Sequence, residues 1–154
     1  MTVIAFDGKS LAADKRATNQ GLIRTVTKVR RIRDCLCAGA GEFSLVEEMY
    51  AWFAEGANQE DLPAFQSTSA DYVGLLVITP VGQILKYERS AYPMDFTESG
   101  IFAIGSGRDH AMMAMHLGKS AEEAVLLTAE LDSTCGNGVD VLTLGRTRPR
   151  LRLV

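Results

Sequence analysis

The β-prone segments of this chain come in runs, and the helix-prone segments lie between those runs. This clustering favours an α+β fold over an array of alternating βαβ units. Two sheets packed face to face, with helices on both outer faces, would bury every predicted element, so we expect a four-layer αββα sandwich. The 154 residues suffice for a sizeable core, and we expect a single domain over residues 1–154.

The individual elements follow from short sequence patterns. Runs of β-branched and apolar residues predict the strands, and apolar residues at helical spacing predict the helices. Asp7 and Gly8 predict a tight turn that joins the first two strands into a hairpin. The predicted strands are residues 2–6, 10–13, a pair within 22–33, 36–40, 72–79, 82–89, 101–107 with its glycine turn, 139–144 and 149–154; the predicted helices are 44–53, 110–117 and 120–131.

Two of the predicted helices begin with a serine three residues before a glutamate. Ser44 has this relation to Glu47, and Ser120 has it to Glu123. The spacing is that of a capping box, in which the two side chains satisfy backbone N–H groups at the helix start. The first helix also has one apolar face, formed by Val46, Met49, Tyr50 and Phe53.

Composition and charge argue against several classes of function. The net charge of −3 gives no general attraction to nucleic acid or anionic membranes, and no apolar run has the length of a membrane span. No basic-then-apolar leader is present, so we expect a cytoplasmic protein.

The cysteines and histidines do not indicate a metal site. Cys35 and Cys37 point the same way on a predicted strand and are expected to pack as small hydrophobic residues. With Cys135 the chain has three cysteines, which cannot all pair within one molecule. His110 and His116 lack a surrounding cluster of ligands, so we expect neither a metal nor another cofactor.

Three other features have more than one interpretation. Ser106 lies between two glycines and either caps the following helix or belongs to a functional site; phosphate binding there is disfavoured, because no GxGxxG pattern or Walker lysine follows. The basic segment 146–154 can contact nucleic acid, but a solvated edge strand is the favoured interpretation. Met112, Met113 and Met115 are expected to pack in the core rather than to bind a metal.

The second residue raises a chemical question. Removal of the initiator Met1 would leave Thr2 with both its hydroxyl and a free α-amine. The amine can act as the base for that hydroxyl, which is a known catalytic unit. Taken alone, Thr2 is better explained as an ordinary exposed residue of a strand, so the remaining sequence has to distinguish the two interpretations.

Four stretches support the chemical interpretation. They are TVIAF at the start, LAADKRAT, TKVRRI, and IGSG followed by two helical segments and DSTCGNGVDVL. Together they resemble the proteasome β-subunit family of N-terminal nucleophile (Ntn) hydrolases, and most closely its bacterial HslV-like branch. The resemblance covers nearly the whole chain, and AADKRAT and KVRRI are specific in combination.

The resemblance implies a set of catalytic residues. Thr2 matches the nucleophile, Asp14 the aspartate of the AAD motif, and Lys28 the lysine whose ammonium lies beside the nucleophile. Ser106 matches the serine near the threonine amine, and Asp132 an aspartate that supports that serine. The residues are chemically suited to these roles, because an ammonium beside the amine favours its neutral, basic form and a carboxylate can fix that ammonium.

The resemblance also implies residues that bind the substrate. Thr18 matches a position that contacts the substrate backbone. Gly39, or with less support Gly41, would supply the N–H that stabilises the oxyanion. Cys135 stands where many relatives carry serine, and a thiol is a weaker hydrogen-bonding group in this supporting position.

These expectations lead to one functional prediction and two alternatives. We expect a threonine peptidase that cuts unfolded polypeptide inside a homo-oligomeric ring, with Thr2 as nucleophile after Met1 is removed. The resemblance implies an ATP-driven unfoldase, which would be a separate chain because this sequence contains no ATPase motif. The alternatives are a hydrolase of small amides and an inactive structural or interaction module that keeps Met1.

Overall fold

The structure is a computed structural model that describes residues 1–64 and 72–145. Its strands come in runs with the helices between them, as expected from the sequence. The strands are Ile4–Phe6 (β1), Ser10–Asp14 (β2), Arg16–Asn19 (β3), Leu22–Thr25 (β4), Val29–Ile32 (β5), Cys35–Gly41 (β6), Val73–Ile78 (β7), Ile84–Tyr87 (β8), Met94–Asp95 (β9), Phe102–Ile104 (β10) and Val139–Thr143 (β11). The helices are Phe43–Ala54 (α1), Arg108–His116 (α2) and Ala121–Leu131 (α3), with short 3-10 helices at Gln59–Asp61 and Thr97–Ser99.

The strands form two antiparallel sheets and a separate hairpin. The first sheet has the order β10-β1-β2-β11, and the second has the order β5-β6-β7-β8-β9. Strands β3 and β4 pair only with each other among the described elements. The hairpin predicted at Asp7 and Gly8 is confirmed: β1 pairs with β2, and Asp7 N–H donates to the carbonyl of Ser10 across the turn.

Three apolar cores hold these elements in four layers. The central core lies between the two sheets and includes Phe6 and Leu11 from one sheet with Leu36 and Leu76 from the other. A second core packs α2 and α3 on the outer face of the first sheet. A third packs α1 on the outer face of the second sheet, where Cys35 and Cys37 are buried among apolar side chains. The predicted αββα sandwich is confirmed.

One of the two predicted capping boxes is present. Ser120 accepts from the backbone N–H of Glu123, and the Glu123 carboxylate accepts from the N–H of Ser120. The box predicted at Ser44 is wrong, because α1 begins one residue earlier and its N-cap residue is Glu42, which makes no side-chain cap. The hydroxyl of Ser44 instead donates to the Glu42 carboxylate.

The prediction for residues 22–33 is wrong in its pairing. The region does contain two strands, but β4 pairs with β3 and β5 pairs with β6, so the two are not partners. Strand β3 itself was missed, because Arg16–Asn19 is polar and follows β2 after a single residue. Of the predicted methionine core, Met115 is buried while Met113 is exposed. The strand predicted at 149–154 lies outside the described residues.

Candidate active site

Thr2 lies at one end of the first sheet, two residues before the start of β1, and the glycine turn after β10 lies against it. The residue is 9% exposed. Its N–H donates to Ser106 Oγ at 3.1 Å, and its carbonyl accepts from Gly107 N–H at 3.1 Å. A Cβ at Gly105, which has a φ of +96°, would lie 2.2 Å from the Thr2 carbonyl oxygen. Only glycine at position 105 therefore allows the turn to approach this closely.

Lys28 brings an ammonium group to the Thr2 hydroxyl. It lies just before β5, and its Nζ donates to Thr2 Oγ1 at 3.2 Å, to Asp14 Oδ1 at 2.8 Å and to the carbonyl oxygen of Met1 at 3.1 Å. These three contacts match the three donors of an ammonium group. The cation is thus held against the hydroxyl and against the peptide bond that joins Met1 to Thr2.

Asp14 holds the Lys28 ammonium in place. Its side chain is fully buried at the end of β2. Besides Lys28, the carboxylate accepts from the backbone N–H groups of Val3 (3.1 Å), Gly136 (3.1 Å) and Arg16 (3.3 Å). A buried charge is stable only when it is paired and hydrogen-bonded, and Asp14 meets both conditions. It therefore fixes the ammonium relative to the backbone beside Thr2.

Ser106 does not act as a helix cap. The N-cap residue of α2 is Gly107, with no side-chain cap, while the Ser106 hydroxyl lies against the Thr2 backbone, accepting from its N–H and 3.3 Å from its carbonyl oxygen. Of the two interpretations left open by the sequence, this geometry favours a place in the site around Thr2.

Asp132 forms hydrogen bonds within its own turn rather than to Ser106. Its carboxylate accepts from the N–H and the hydroxyl of Thr134 at 2.9 and 2.6 Å, and these bonds hold its pKa below the ordinary value. The Cys135 thiol lies 3.8 Å from the other carboxylate oxygen, and burial raises the pKa of that thiol. The direct support of Ser106 by Asp132 that the resemblance implied is therefore not seen.

The two candidate oxyanion glycines differ in what their N–H groups contact. Glu42 N–H donates to the carbonyl of Tyr72, which lies opposite it just before β7. The backbone N–H groups of even-numbered residues in β6 therefore point toward β7, and those of odd-numbered residues point away from β7. The N–H of Gly39 is buried and donates to the hydroxyl of Tyr50 at 2.8 Å. Gly41 is exposed, and its N–H points to the same side as that of Gly39.

Gly41 also lies beside Thr2 in two adjoining cavities. One, of about 520 Å³, is lined by Thr2, Thr18, Lys28, Gly39, Gly41 and Tyr50, among others. The other, of about 710 Å³, is also lined by Thr2 and includes Gly41 and Ser106. Gly41 has a φ of +120°, and a Cβ there would lie 1.9 Å from the Tyr72 carbonyl oxygen. The backbone path along the cleft thus requires glycine.

Sequence reasoning missed the part played by Tyr50. The helical apolar pattern identified it only as a residue of the buried face of α1. Its hydroxyl accepts from Gly39 and donates to the carbonyl oxygen of Lys28 at 2.8 Å. A tyrosine among otherwise apolar positions is the available signal, because a buried hydroxyl requires a polar partner.

Two further kinds of feature are not found where the structure describes the chain. Within residues 1–64 and 72–145, no three histidine, cysteine, aspartate or glutamate side chains gather as ligands for a metal ion. Over the same ranges, none of the helices has the length and apolar character needed to cross a bilayer.

Solved structures with the same architecture were found over nearly the full chain. The protein BPH from Thiobacillus denitrificans, in complex with epoxomicin, has a TM-score of 0.71 and 20% identity, covering 95% of this chain and 100% of its own. The eukaryotic HslV from Trypanosoma brucei has a TM-score of 0.67 and 21% identity, covering 94% of this chain and 99% of its own.

A second structure of Thiobacillus BPH has a TM-score of 0.66 and 21% identity, covering 94% of this chain and 99% of its own. No protein-family model matches the chain, and no curated protein matches its sequence. The neighbours identify the architecture: this protein has the fold of the proteasome β-subunit and HslV-like Ntn hydrolases.

Proposed function

We propose that this protein is a threonine-type peptidase whose nucleophile is Thr2, exposed by removal of Met1. The observation that carries the proposal is the position of Thr2 between two polar groups at the edge of two cavities. Its hydroxyl accepts a hydrogen bond from the Lys28 ammonium, and its N–H donates a hydrogen bond to the Ser106 hydroxyl. The fold shared with HslV and with an epoxomicin-binding protein supports the same assignment.

The proposed reaction needs only groups of this chain and water. The free amine of Thr2 takes the proton of the Thr2 hydroxyl as Oγ1 attacks the substrate carbonyl carbon. The tetrahedral intermediate collapses, the carbon–nitrogen bond breaks, and the proton passes to the departing amine. Water then attacks the resulting ester, again with the Thr2 amine as base, and releases the carboxylic acid and the restored hydroxyl.

Lys28 and Asp14 are proposed to prepare this step. The ammonium of Lys28, 3.2 Å from Thr2 Oγ1, stabilises negative charge that develops on the hydroxyl oxygen. It also favours the neutral form of the nearby amine. Asp14 holds the ammonium in place, so the cation costs no reorganisation during the reaction. Ser106 would orient the amine through the contact that it makes with Thr2 N.

For the oxyanion we propose Gly41 rather than Gly39. The N–H of Gly39 is buried and already donates to the Tyr50 hydroxyl, although Gly39 lines one of the two cavities. Gly41 lines both cavities beside Thr2, and by strand alternation its N–H faces away from β7. A backbone donor at that position can meet the oxygen of a substrate carbonyl attacked by Thr2.

The proposed substrate is an unfolded polypeptide. The cavity beside Thr2 is bordered by β3, which carries Thr18, and by the end of β6 at Gly41. Backbone groups on both borders can pair with an extended chain, as in other strand-addition sites. A folded substrate does not offer such a segment. The direct test is degradation of a permanently unfolded protein compared with its folded form, with product peptides measured by mass spectrometry.

Contact between Lys28 and Met1 favours the inactive module as the second candidate. In the chain with Met1, Lys28 Nζ donates to the Met1 carbonyl oxygen, so the cation is partly engaged by the residue that blocks the amine. The two candidates differ in one measurable property, which is whether the protein in its native cell keeps Met1. A small-amide hydrolase would differ from the peptidase by cutting short amides but not unfolded proteins.

Assembly into a homo-oligomeric ring is expected to be required for activity on polypeptides. Several large apolar side chains are exposed on the single chain, and exposed apolar surface of this kind favours association. They include Leu22, Ile23, Phe43, Met113, Leu117 and Leu131. Sedimentation and native mass spectrometry at micromolar concentration should give a closed oligomer that carries all the peptidase activity. Fully active monomer would contradict the chamber, and a separate ATP-driven unfoldase would then have no ring to feed.

A further inference from the structure

The pairing of β5 with β6 begins at Val29, one residue after Lys28, and does not include Lys28 itself. Its first aligned residues are Val29 and Ala38. One position beyond this pair, the Tyr50 hydroxyl accepts from Gly39 N–H at 2.8 Å and donates to the Lys28 carbonyl at 2.8 Å. A side chain from α1 thus takes the place of the next rung of the ladder, at the residue that carries the ammonium.

Contacts from β5 and β6 hold Tyr50 in this position. Its side chain is 3% exposed, and the guanidinium of Arg30 lies 4.4 Å from the ring centroid. Arg30 also forms an ion pair with Glu47, which lies one helical turn before Tyr50 on α1. Gly39 allows the helix to come this close, because a Cβ there would lie 2.3 Å from a methyl carbon of Val46.

The hydroxyl of Tyr50 stays protonated, and therefore a hydrogen-bond donor, at neutral pH. Burial is the largest cause that raises the pKa of Tyr50, to about 12. The neutral phenol can accept from one backbone group and donate to another at the same time. It therefore satisfies two backbone groups between which the strand ladder has opened.

We propose that Tyr50 is a positioning residue for the reaction, because it fixes the backbone of Lys28 at the distance from β6 that brings its ammonium to Thr2. The inference rests on the proposed function for its catalytic consequence. Without the hydroxyl, the Lys28 carbonyl and the Gly39 N–H lose their common hydrogen-bond partner, and a direct hydrogen bond between them becomes favourable. That closure draws the Lys28 backbone toward β6 and moves Nζ away from Thr2 Oγ1.

The test is Tyr50→Phe, which keeps the ring and removes only the hydroxyl. Tyr87→Phe is the matched control, because Tyr87 lies in the same core and packs against Trp52 and Phe53 of the same helix. We expect kcat per epoxomicin-reactive site to fall on the order of 10- to 100-fold in Tyr50→Phe, with KM changed less than about twofold. Counting reactive sites removes misfolded molecules from the comparison.

The outcomes separate this inference from the proposed function. If wild type shows hydrolysis that depends on Thr2 and Tyr50→Phe keeps the wild-type kcat, the positioning role is overturned and the function stands. If wild type shows no such hydrolysis, the function fails, and a crystal structure of Tyr50→Phe decides the inference alone. Lys28 Nζ displaced from Thr2 Oγ1 would support it, and an unmoved Lys28 would overturn it.

Discussion

Replacing Thr2 by alanine is expected to reduce peptide hydrolysis to background, a loss on the order of 10⁵-fold. The substitution removes the hydroxyl that is proposed to attack the substrate and leaves the amine in place. The fold should be retained, because the backbone contacts of Thr2 with Ser106 and Gly107 do not involve its side chain. The measurement is initial rate on an unfolded protein and on short fluorogenic peptides, at equal concentrations of assembled protein.

Thr2→Ser is the matched control for this prediction. Serine retains a hydroxyl and, once Met1 is removed, an amine on the same carbon skeleton, so we expect measurable activity that epoxomicin abolishes. A Thr2→Ala protein that turns over peptides at the wild-type rate would show that another residue is the nucleophile. The fold would then be shared with HslV while the chemistry was not.

Replacing Lys28 by methionine is expected to give the second largest loss, on the order of 10²- to 10⁴-fold in kcat. Methionine keeps the apolar stem and removes the ammonium that contacts Thr2 Oγ1 and Asp14 Oδ1. The buried Asp14 carboxylate also loses its partner, so a lower melting temperature is expected. Rates are therefore compared below the melting transition, with assembly checked by sedimentation.

Lys15→Met is the control for loss of a lysine next to this sheet. Lys15 forms an ion pair with Asp140 at 2.8 Å, and both side chains are partly exposed. This pair has no proposed part in the chemistry at Thr2. Its removal should leave kcat within about twofold, because exposed pairs contribute little. Equal loss of activity in both variants would mean that Lys28 acts through general stability rather than through its charge at Thr2.

The layered architecture could be predicted because the sequence patterns and the tertiary packing agree. Alternating side chains place Leu36 and Cys37 on opposite faces of β6, and the structure buries one between the sheets and the other under α1. The Ser120 box could be predicted because both partners are local. At Ser44 the local pattern was the same, but α1 begins at Phe43, with one residue between it and the end of β6, so the serine falls inside the first turn.

The arrangement of the candidate site was predictable only in part. The resemblance identified Thr2, Asp14, Lys28 and Ser106, and the structure brings these four side chains or backbones into direct contact, although their roles stay predictions. The even spacing from Thr2 to Asp14 and from Asp14 to Lys28 is compatible with side chains on a shared face.

The glycine choice could not be made from the sequence. Gly39 and Gly41 are both odd-numbered positions of one strand, so strand alternation gives their N–H groups the same direction. What distinguishes them is the hydroxyl of Tyr50, which arrives from a helix that follows in the chain. No local pattern in β6 contains that information.

The measurement that tests the central claim most directly compares the chain with and without Met1. An amide nitrogen is a poor base, because its lone pair is delocalised into the carbonyl, whereas the free amine of Thr2 can take the hydroxyl proton. Two preparations of equal fold are checked by intact mass, treated with epoxomicin and assayed on peptides. The trimmed chain should gain the mass of one epoxomicin, mapped to Thr2, and hydrolyse peptides, while the chain with Met1 should do neither. Equal hydrolysis by the chain that keeps Met1 would contradict the assignment of Thr2 as an N-terminal nucleophile.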